Sequence, residues 1–570
     1  MLAIIAIIAA VVASVAIGVQ LYHRVTPTTH PQPFQRIRMT RLTTTGNATI
    51  AAISPDARYV VHAVSDNGKE SLWMRQVATS SNIQIAPPAR VSYRGLTFSL
   101  DGNFLYYVVT ENGLIGSLFE MPLLGGTAKK LAYDVDSPAT LSPAGKQLAF
   151  LRGNPRASEV ILSITGTDGK GERQLAAYKV PSFAWSLVAA WSPDGKTIVH
   201  TINRTDDTGS YVTLIATPAQ TEAKEVFTAS RWQYVTGAAW TVDGQGLVLN
   251  AADRTSSGQL WYLPFPVGEP RQITNDLSQY FGVSLNADSS ALVSLQRERL
   301  STIWVAPNGT AAAAKQVTHA VSRDLVKSGV AWTPDGEIIY AHRAGSNYDL
   351  WITPVDGREP KQLTANAGNN LLPRVSPDGR QIVFSSDRTG TSHVWKMGID
   401  GSDATQLTNG DGEGFPDWSR DGRWVVYGST RMTLWKVSAD GGNPVQLMHE
   451  HAMLPSISPD GRWLCFEYVD GSGTAIMPFD GGPAGRLFKV SLPAESDQVR
   501  WSPDSTALLY IKTKDGVSNI WSQPIDGGPP RQVSDFQSDQ IFAFDWSRDG
   551  KLACARGVLN GDVVLIRDLK

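Results

Sequence analysis

A four-residue phrase, Ser-Pro-Asp-Gly or a close variant, recurs twelve times along this chain of 570 residues. Its copies are 39 to 50 residues apart and begin at Ser54, Ser99, Ser142, Ser192, Thr241, Asn286, Thr333, Ser376, Ser419, Ser458, Ser502 and Ser547. Proline presets φ at the second position of a tight turn, aspartate can bond its own backbone, and glycine accepts a positive φ. Each copy therefore predicts a turn between two strands.

The residues around each turn are typical of a β-propeller blade. The residue before the turn is apolar in every copy, and unbroken apolar runs such as residues 382–384 follow the turn. Such runs indicate a strand buried on both faces. A third strand often carries Trp, which we interpret as a packing residue, and a short fourth strand follows, as at residues 361–364. A period near 40 to 50 residues with this content predicts one blade per copy.

Twelve blades exceed the usual number in one ring, which is about four to eight. We therefore predict an all-β fold with two consecutive six-bladed propellers, at residues 41–312 and 313–570. Residues 41–43 and 315–318 each look like a fourth strand that closes its ring and leaves no open sheet edge. Each half is then expected to fold alone. A division into seven and five blades is the alternative.

The chain begins with an uncharged run at residues 2–21. At about 1.5 Å per residue, twenty residues reach about 30 Å, the thickness of one hydrocarbon core. We expect one N-terminal transmembrane helix within an anchor at residues 1–25, followed by a linker at 26–40. A cleaved signal peptide is the alternative, although a basic n-region is absent. Arg24, Arg36 and Arg38 follow the run and favour a cytoplasmic side by the positive-inside rule.

Composition limits the classes of function. The net charge is −2 with both signs scattered, which gives no basic face for nucleic acid. The two cysteines, Cys465 and Cys554, cannot make a disulfide framework or a four-ligand zinc site, and both occupy an apolar strand position. Hydrolase-elbow, zincin and P-loop motifs are absent from the sequence. No catalytic residue, cofactor or metal is therefore predicted.

Polar loop residues provide a candidate binding rim on the second ring. Asp387 and Arg388 lie in a predicted loop between strands two and three, and His449 and His451 lie between two blades. These loops share one face because strands alternate in direction, and Arg431 has a related position. Loops on a rigid scaffold commonly carry function. The alternatives are that the Asp-Arg pair stabilises its own loop, or that the histidines and neighbouring methionines bind a soft metal, which no second site supports.

The order x-Q-L-T, W-S-P-D-G and S-D-R resembles the TolB-type, WD40-like propeller repeat over roughly residues 40–570. The stretch at residues 33–61 is similar to the start of the extracytoplasmic half of bacterial membrane serine/threonine kinases. The Gly-rich phosphate loop, HRD and DFG motifs of a kinase are absent, so the resemblance does not imply kinase activity. It does imply propellers outside the cytoplasm, in the periplasm or at the cell exterior.

These observations predict a membrane-tethered, non-enzymatic binding, scaffold or sensor module. Its expected partners are a protein, peptide or glycan ligand and, through residues 2–21, the membrane, but not nucleic acid. One alternative is a lyase-type or hydrolase-type propeller enzyme, which would carry inward-facing titratable residues on several first strands. The first strands look mostly apolar or small near the turn, which does not favour it. The other alternative is the sensor half of a split regulatory kinase.

Overall fold

The computed structural model describes residues 34 and 36–569, apart from residues 112–114, 155, 156, 158, 181–186, 207, 208, 220–227, 254–257, 277, 319–321, 324–328, 345, 346, 366, 411, 449–451, 469–472 and 491–498. The described chain is almost entirely β-structure.

The first half contains β1 (Arg38–Arg41), β2 (Ala48–Ile53), β3 (Tyr59–Asp66), β4 (Lys69–Gln76), β5 (Asn82–Ala89), β6 (Val91–Phe98), β7 (Phe104–Glu111), β8 (Gly116–Pro122), β9 (Lys129–Tyr133), β10 (Thr140–Leu141), β11 (Gln147–Asn154), β12 (Glu159–Gly166), β13 (Arg173–Lys179), β14 (Ala189–Trp191), β15 (Thr197–Asp206), β16 (Gly209–Pro218), β17 (Thr228–Trp232), β18 (Tyr234–Trp240), β19 (Gly246–Ala252), β20 (Gln259–Pro264), β21 (Arg271–Gln272), β22 (Gln279–Leu285) and β23 (Ala291–Pro307). A short 3₁₀ helix at Ala311–Ala313 follows.

The second half contains β24 (Lys315–Gln316), β25 (Ser322–Arg323), β26 (Val330–Trp332), β27 (Glu337–Ala344), β28 (Asn347–Pro354), β29 (Lys361–Gln362), β30 (Asn370–Val375), β31 (Gln381–Ser386), β32 (His393–Gly398), β33 (Thr405–Gln406), β34 (Glu413–Trp418), β35 (Trp424–Ser429), β36 (Leu434–Ser438), β37 (Val445–Met448), β38 (Ala452–Ile457), β39 (Trp463–Tyr468), β40 (Thr474–Pro478), β41 (Leu487–Phe488), β42 (Arg500–Trp501), β43 (Ala507–Lys514), β44 (Val517–Pro524), β45 (Arg531–Gln532), β46 (Gln540–Trp546) and β47 (Lys551–Arg567).

Ten four-stranded antiparallel sheets form ten complete blades, five on each side of β23. Neighbouring blades contact each other through their first strands: β2 contacts β6, β10 contacts β14, β14 contacts β18, β18 contacts β22, and β22 contacts β2 again. Between β6 and β10, the Thr97 hydroxyl donates to the carbonyl oxygen of Ala139. We call this circle the first ring. Contacts from β26 through β30, β34 and β38 to β42, and from β43 and β26 to β46, form the second ring.

The sixth blade of each ring contains a strand from the other half of the chain. β23 and β47 are 17 residues long and pair antiparallel over their whole length, from Ala291 with Arg567 to Pro307 with Lys551. In the first ring, β22, residues 291–297, residues 562–567 and β1 lie side by side. In the second ring, β46, residues 551–557, residues 302–307 and β24 do so. The two rings therefore exchange their third strands.

This exchange differs from the predicted closure, in which residues 302–307 stay in the first ring. Residues 302–307 have the apolar pattern of a third strand, which suits either ring. They lie in the second ring because β23 continues without a break from one ring into the other. Gly557 and Gly561 lie where β47 passes from one ring to the other. A Cβ at Gly557 would overlap the carbonyl oxygen of Leu300 on β23, so glycine permits this close crossing. The boundary at residue 312 stays a prediction, but the exchange favours two halves that depend on each other over the expectation that each half folds alone.

The repeated phrase forms the turn between the first and second strands of a blade. In one copy Ser376 Oγ donates to Asp378 Oδ1 at 2.6 Å, and the Gln381 amide donates to Ser376 Oγ at 2.9 Å. Gly379 has φ of 74°, which favours glycine. After the turn, Ile382 and the next two residues are buried between neighbouring blades. The turn therefore fixes the end of each inner strand, and with it the position of the ring axis.

The all-β propeller part of the predicted fold agrees with this architecture, but the membrane part is corrected. Among the residues that the structure describes, no helix is long and apolar enough to span a bilayer, and the one helical turn is three residues long. The apolar side chains of this part of the chain are used in strands buried between blades. The expected transmembrane segment at residues 2–21 lies outside the described residues. The single-pass topology, and the extracytoplasmic localisation that the kinase-like resemblance implied, are therefore not supported.

Candidate functional site

The two rings differ at the residue two positions before each turn, near the end of the innermost strand. In the first ring this position holds small uncharged residues, and in the second ring it holds four charged ones. The first-ring residues are Ala52, Thr97, Thr140, Ala190, Ala239 and Ser284; the second-ring residues are Ala331, Arg374, Asp417, Ser456, Arg500 and Asp545. We call the latter set the channel ring.

A β-bulge precedes the channel ring in three neighbouring blades. The register of β30, β34 and β38 shifts there, and Leu372, Phe415 and Leu454 have φ of 56°, 58° and 58°. A positive φ is uncommon for residues with a bulky side chain, and each of the three is followed by proline. Bulges change the direction of the side chains that follow them and are frequent beside functional sites. Here the bulge directly precedes Arg374, Asp417 and Ser456.

The acidic members of the channel ring join neighbouring blades. Asp417 Oδ2 accepts the Ile457 amide at 2.9 Å and Ser456 Oγ at 3.1 Å. Asp545 Oδ2 accepts the Trp332 amide at 2.8 Å across the closure of the ring. Hydroxyl groups make the same bond in the first ring, where Ser284 and Thr140 accept backbone amides of the next blade at 3.1 Å. A hydroxyl can therefore make the bond between blades at this position, and a charge is not needed.

Tryptophans directly before the turn reinforce the same joints. The indole of Trp418 donates to the carbonyl oxygen of Arg374 at 3.2 Å, and that of Trp501 donates to the carbonyl oxygen of Ser456 at 2.9 Å. In the first ring Trp240 makes the corresponding bond to the preceding blade. These tryptophans are buried, in agreement with their interpretation as packing residues.

Arg374 lies between two carboxylates that come from different blades. Its Nε is 3.8 Å from Asp417 Oδ1, and its Nη1 is 3.9 Å from Asp545 Oδ1. Asp417 belongs to the next blade, whereas Asp545 lies two blades back, beyond the small Ala331. Both separations exceed hydrogen-bonding distance. Nη2 is buried and has no hydrogen-bond partner among the described residues.

Burial controls the electrostatics of this site. It raises the pKa of Asp417 and of Asp545, and the Arg374 guanidinium and the backbone amides on each carboxylate oppose the rise. Arg500 is also buried in the channel ring. Two cations and two anions thus balance in a partly desolvated channel, although the side chains of Asp417 and Asp545 retain 17% and 22% of their exposure.

The channel of the first ring has a different chemistry. It contains a cavity of about 520 Å³ lined by strand residues such as Thr97, Thr140 and Ala239. The second turn residues at its mouth are all apolar: Pro55, Leu100, Pro143, Pro193, Val242 and Ala287. This cavity presents methyl groups where the second ring presents charges.

The residues of the predicted binding rim lie away from the channel ring. Asp387 accepts two bonds from Asn369, at 2.6 Å from the backbone amide and 2.8 Å from the side chain. Arg388 donates to Asn370 at 2.7 Å and covers the ring of Trp395, with 4.5 Å between guanidinium carbon and ring centroid. These contacts are the ones expected of a pair that stabilises its own loop.

Of the remaining rim residues, only Arg431 belongs to the part of the chain that the structure describes. Arg431 is exposed beyond the end of β35 in the following blade. His449 and His451 lie outside the described residues. Within the described part of the chain, no group of three or more His, Cys, Asp or Glu side chains could hold a metal ion. Ligand binding by the rim stays a prediction.

Sequence reasoning overlooked the channel ring, although the signal is present in the repeats. Read singly, Arg374 in PRVS and Asp417 in PDWS are isolated polar residues among apolar ones. Aligned on the turn, the twelve copies separate into six uncharged and six mostly charged or hydroxyl residues. The inward-facing titratable residues that the sequence did not suggest are therefore present in the second ring.

Comparisons with known proteins agree with the propeller architecture. Residues 345–498 match the family described as the Tricorn protease N-terminal beta propeller domain. An uncharacterized protein of Agrobacterium fabrum is 29% identical over 185 residues, which cover 29% of this chain and 61% of the relative. Tricorn protease homolog 1 of Streptomyces coelicolor is 29% identical over 94 residues, covering 16% of this chain and 8% of its own.

The Tol-Pal system protein TolB of Bordetella pertussis is 40% identical over 48 residues, covering 8% of this chain and 11% of the relative. A solved structure of the tricorn protease aligns over 89% of this chain and 59% of its own, at 11% identity and a TM-score of 0.34, too low for a comparison of folds. The matches thus span less than two thirds of these relatives. Together, the sheets show a β-propeller fold, and the matched repeats are similar to those of Tricorn and TolB proteins.

Proposed function

We propose that this protein is a non-enzymatic binding module whose ligand, a protein, peptide or glycan, enters the channel of the second ring. One observation carries the proposal: four charged side chains from four blades occupy one level of that channel. Among the residues that the structure describes, Arg374 Nη2 has no hydrogen-bond partner, and Nε and Nη1 lie 3.8 Å and 3.9 Å from oxygens of Asp417 and Asp545. A ligand that supplies acceptors there would complete the site.

Comparison with the first ring indicates that these charges exceed what the fold needs. Six small residues close the first ring, and hydroxyls provide its bonds between blades. Burying a charge is unfavourable unless hydrogen bonds and partners compensate for it. A channel ring kept charged and incompletely hydrogen-bonded therefore supports a role in binding.

A channel-centred enzyme is the second candidate, since Asp417 and Asp545 are inward-facing acids with raised pKa. Their hydrogen bonds favour binding over catalysis. Asp417 accepts the amides of Trp418 and Ile457, and Asp545 accepts those of Trp332 and Trp546. Backbone donors hold these acids as acceptors, and the channel ring contains no His, Cys or Lys to act as nucleophile or base. The kinase-like resemblance stays an expectation from sequence and does not carry the proposal.

A selection experiment tests the proposal with the described chain, residues 34–569. Peptides displayed on phage and an array of glycans are screened against the wild-type protein, and every binder is measured again on two variants. Arg374→Met removes the guanidinium from the second ring. Thr140→Val removes an equivalent hydrogen bond from the first ring and is the matched control.

We expect binders whose affinity falls at least tenfold with the Arg374 variant and less than twofold with the control. Thermal melts of both variants ensure that a loss of binding is not a loss of fold. Binders that respond equally to both variants, or to neither, would contradict the assignment of the ligand site to the second ring.

A further inference from the structure

The channel ring offers acceptors as well as donors on the side that faces Arg374. Asp417 Oδ1 accepts the Trp418 amide at 3.0 Å, and Asp545 Oδ1 accepts the Trp546 amide at 3.0 Å. A carboxylate oxygen can accept about two hydrogen bonds. Within the part of the chain that the structure describes, each Oδ1 therefore keeps a free acceptor position beside a guanidinium nitrogen.

Arg374 cannot satisfy both oxygens by a small movement. The oxygens belong to carboxylates of two different blades, at nearly equal distances from two different guanidinium nitrogens, 3.8 Å from Nε and 3.9 Å from Nη1. Because backbone amides fix both carboxylates, approach to one lengthens the separation from the other. Each edge therefore presents a donor and an acceptor, side by side and slightly too far apart to bond directly.

The spacing of each edge selects the group that can bridge it. In an amide the oxygen and nitrogen are about 2.2 Å apart, as the lengths of the C=O and C–N bonds require. Its oxygen can accept from Arg374 while its N–H donates to the aspartate, through two nearly parallel hydrogen bonds across a gap of 3.8 Å or 3.9 Å.

Other common groups fit less well. A carboxylate has the same spacing between its oxygens, but its second oxygen would face an aspartate oxygen. An ammonium group would face the guanidinium. A single hydroxyl oxygen bridging a 3.8 Å gap would hold its two bonds at an acute angle of roughly 85° for bonds of about 2.8 Å.

We propose that the channel ring recognises a primary carboxamide, the side-chain amide of an Asn or Gln, through Arg374 with Asp417 or Asp545. One N–H of a primary amide lies on the same side as its oxygen, whereas the N–H of a trans peptide group points the opposite way. This inference rests on the proposed function and specifies the chemistry of its ligand. The balanced charges agree with it, because a neutral group leaves the site electrically balanced. Binding should then depend little on ionic strength, unlike that of a charged ligand.

Tryptophan amides report directly on this site. The chain has 17 tryptophans, and the backbone amides of Trp418 and Trp546 donate to the two oxygens in question. Protein labelled with ¹⁵N-tryptophan is titrated separately with acetamide, N-methylacetamide, sodium acetate and methylammonium chloride at constant ionic strength. Trp191 is the internal control, because its amide donates to Thr140 at the equivalent position of the first ring.

We expect acetamide to move the amide resonances of Trp418, Trp546 or both along a saturable curve, at least fivefold more than that of Trp191. The two salts should produce less than one fifth of that shift. N-methylacetamide, whose N–H points away from its oxygen, should bind more weakly than acetamide, and equal or stronger binding would contradict the paired hydrogen bonds. In Arg374→Lys, which keeps the charge but loses the Nε edge, the response should fall at least fivefold while the other tryptophan resonances persist.

Equal responses to acetamide and acetate would overturn the inference, and so would shifts spread over tryptophans of both rings. The absence of any response would overturn it too, because it would mean that water alone fills the gaps. The comparison of ligands on the wild type remains decisive if the Arg374→Lys variant does not fold. The two proposals fail separately. If selected binders depend on Arg374 but the tryptophan amides do not respond to acetamide, the proposed function stands and the carboxamide inference fails. If the amides respond but no such binders are found, the proposed function fails.

Discussion

The exchange of third strands makes a specific prediction about cutting the chain between the two halves. A protease site inserted between Ala312 and Ala313 opens the connection within the 3₁₀ helix, where both residues are exposed. If each half folded alone, the cut halves would separate as two domains. With β23 and β47 exchanged, each half holds a strand that the other ring needs, so we expect the cut chain to stay together.

The magnitude follows from the side chains that would leave each ring. Residues 563–566 are all buried in the first ring, with exposures of 0 to 2%. At about 1.5–3 kcal/mol for each buried aliphatic side chain, these four contribute about 6–12 kcal/mol, an upper value because the unfolded chain already buries some surface. Ile303 and Val305 are lost from the second ring in the same way. These amounts are comparable with the whole stability of a typical domain, about 5–15 kcal/mol.

Size-exclusion chromatography and thermal melts after cleavage provide the assay. We expect both fragments to elute in one peak at the position of the uncut protein and to separate only in denaturant. The fragments 36–312 and 313–570 expressed singly should show no cooperative β-type transition, and expressed together they should restore it. Two native fragments that separate without denaturant and melt cooperatively would refute the exchange.

Three further predictions concern single side chains. Cys465 and Cys554 are fully buried, and burial raises the pKa of both thiols, to about 12 for Cys554. A thiol reagent at pH 8 should therefore label neither cysteine in the native protein and both in denaturant. Rapid labelling of the native protein would contradict their core positions. Gly557→Ala should lower the free energy of unfolding by about 1–3 kcal/mol through overlap with the facing strand. In the control Gly428→Ala, a Cβ would meet nothing closer than 3.9 Å, and equal losses in urea melts would argue against a tight crossing. The hydroxyl of its own turn lowers the pKa of Asp421 from 3.8 to about 2, so the ionised group stabilises the fold above about pH 4 and this stability is lost as the pH falls through 2. Asp421→Asn should therefore cost less than about 1 kcal/mol at pH 7, because the group is exposed, and only a small part of that at pH 2, where the group is about half ionised; an undiminished difference at pH 2 would refute the assignment.

The local parts of the fold could be predicted from sequence because short-range chemistry determines them. The turns, the buried second strands and the outer position of residues 41–43 all follow from residue types within a few positions. The exchange could not be predicted, because residues 302–307 and 562–567 have equally apolar patterns and either would fit either ring. Only pairing between residues more than 240 positions apart distinguishes the two closures.

The candidate site shows the same limit. Asp387 and Arg388 were predicted to bind because they form a polar loop motif. Polarity alone does not distinguish a loop stabilised by its own hydrogen bonds from one that binds a ligand. Arg374 and Asp417 were overlooked because each is a single polar residue in an apolar strand. The side chains of these residues meet because a bulge redirects them and because ring closure arranges the blades around one axis.

The exchanged strands also determine the order in which the protein can be completed during its synthesis. Residues 291–297 emerge from the ribosome about 270 residues before their partner at 562–567. At about 5–20 residues per second, this interval is roughly 14–54 s, during which the first ring has five complete blades and one sheet with a bare edge. Such edges readily pair with strands of other chains. Nascent chains on a polysome are therefore most exposed to pairing with one another before residues 562–567 emerge, and a chaperone that covers an exposed strand would act in that interval.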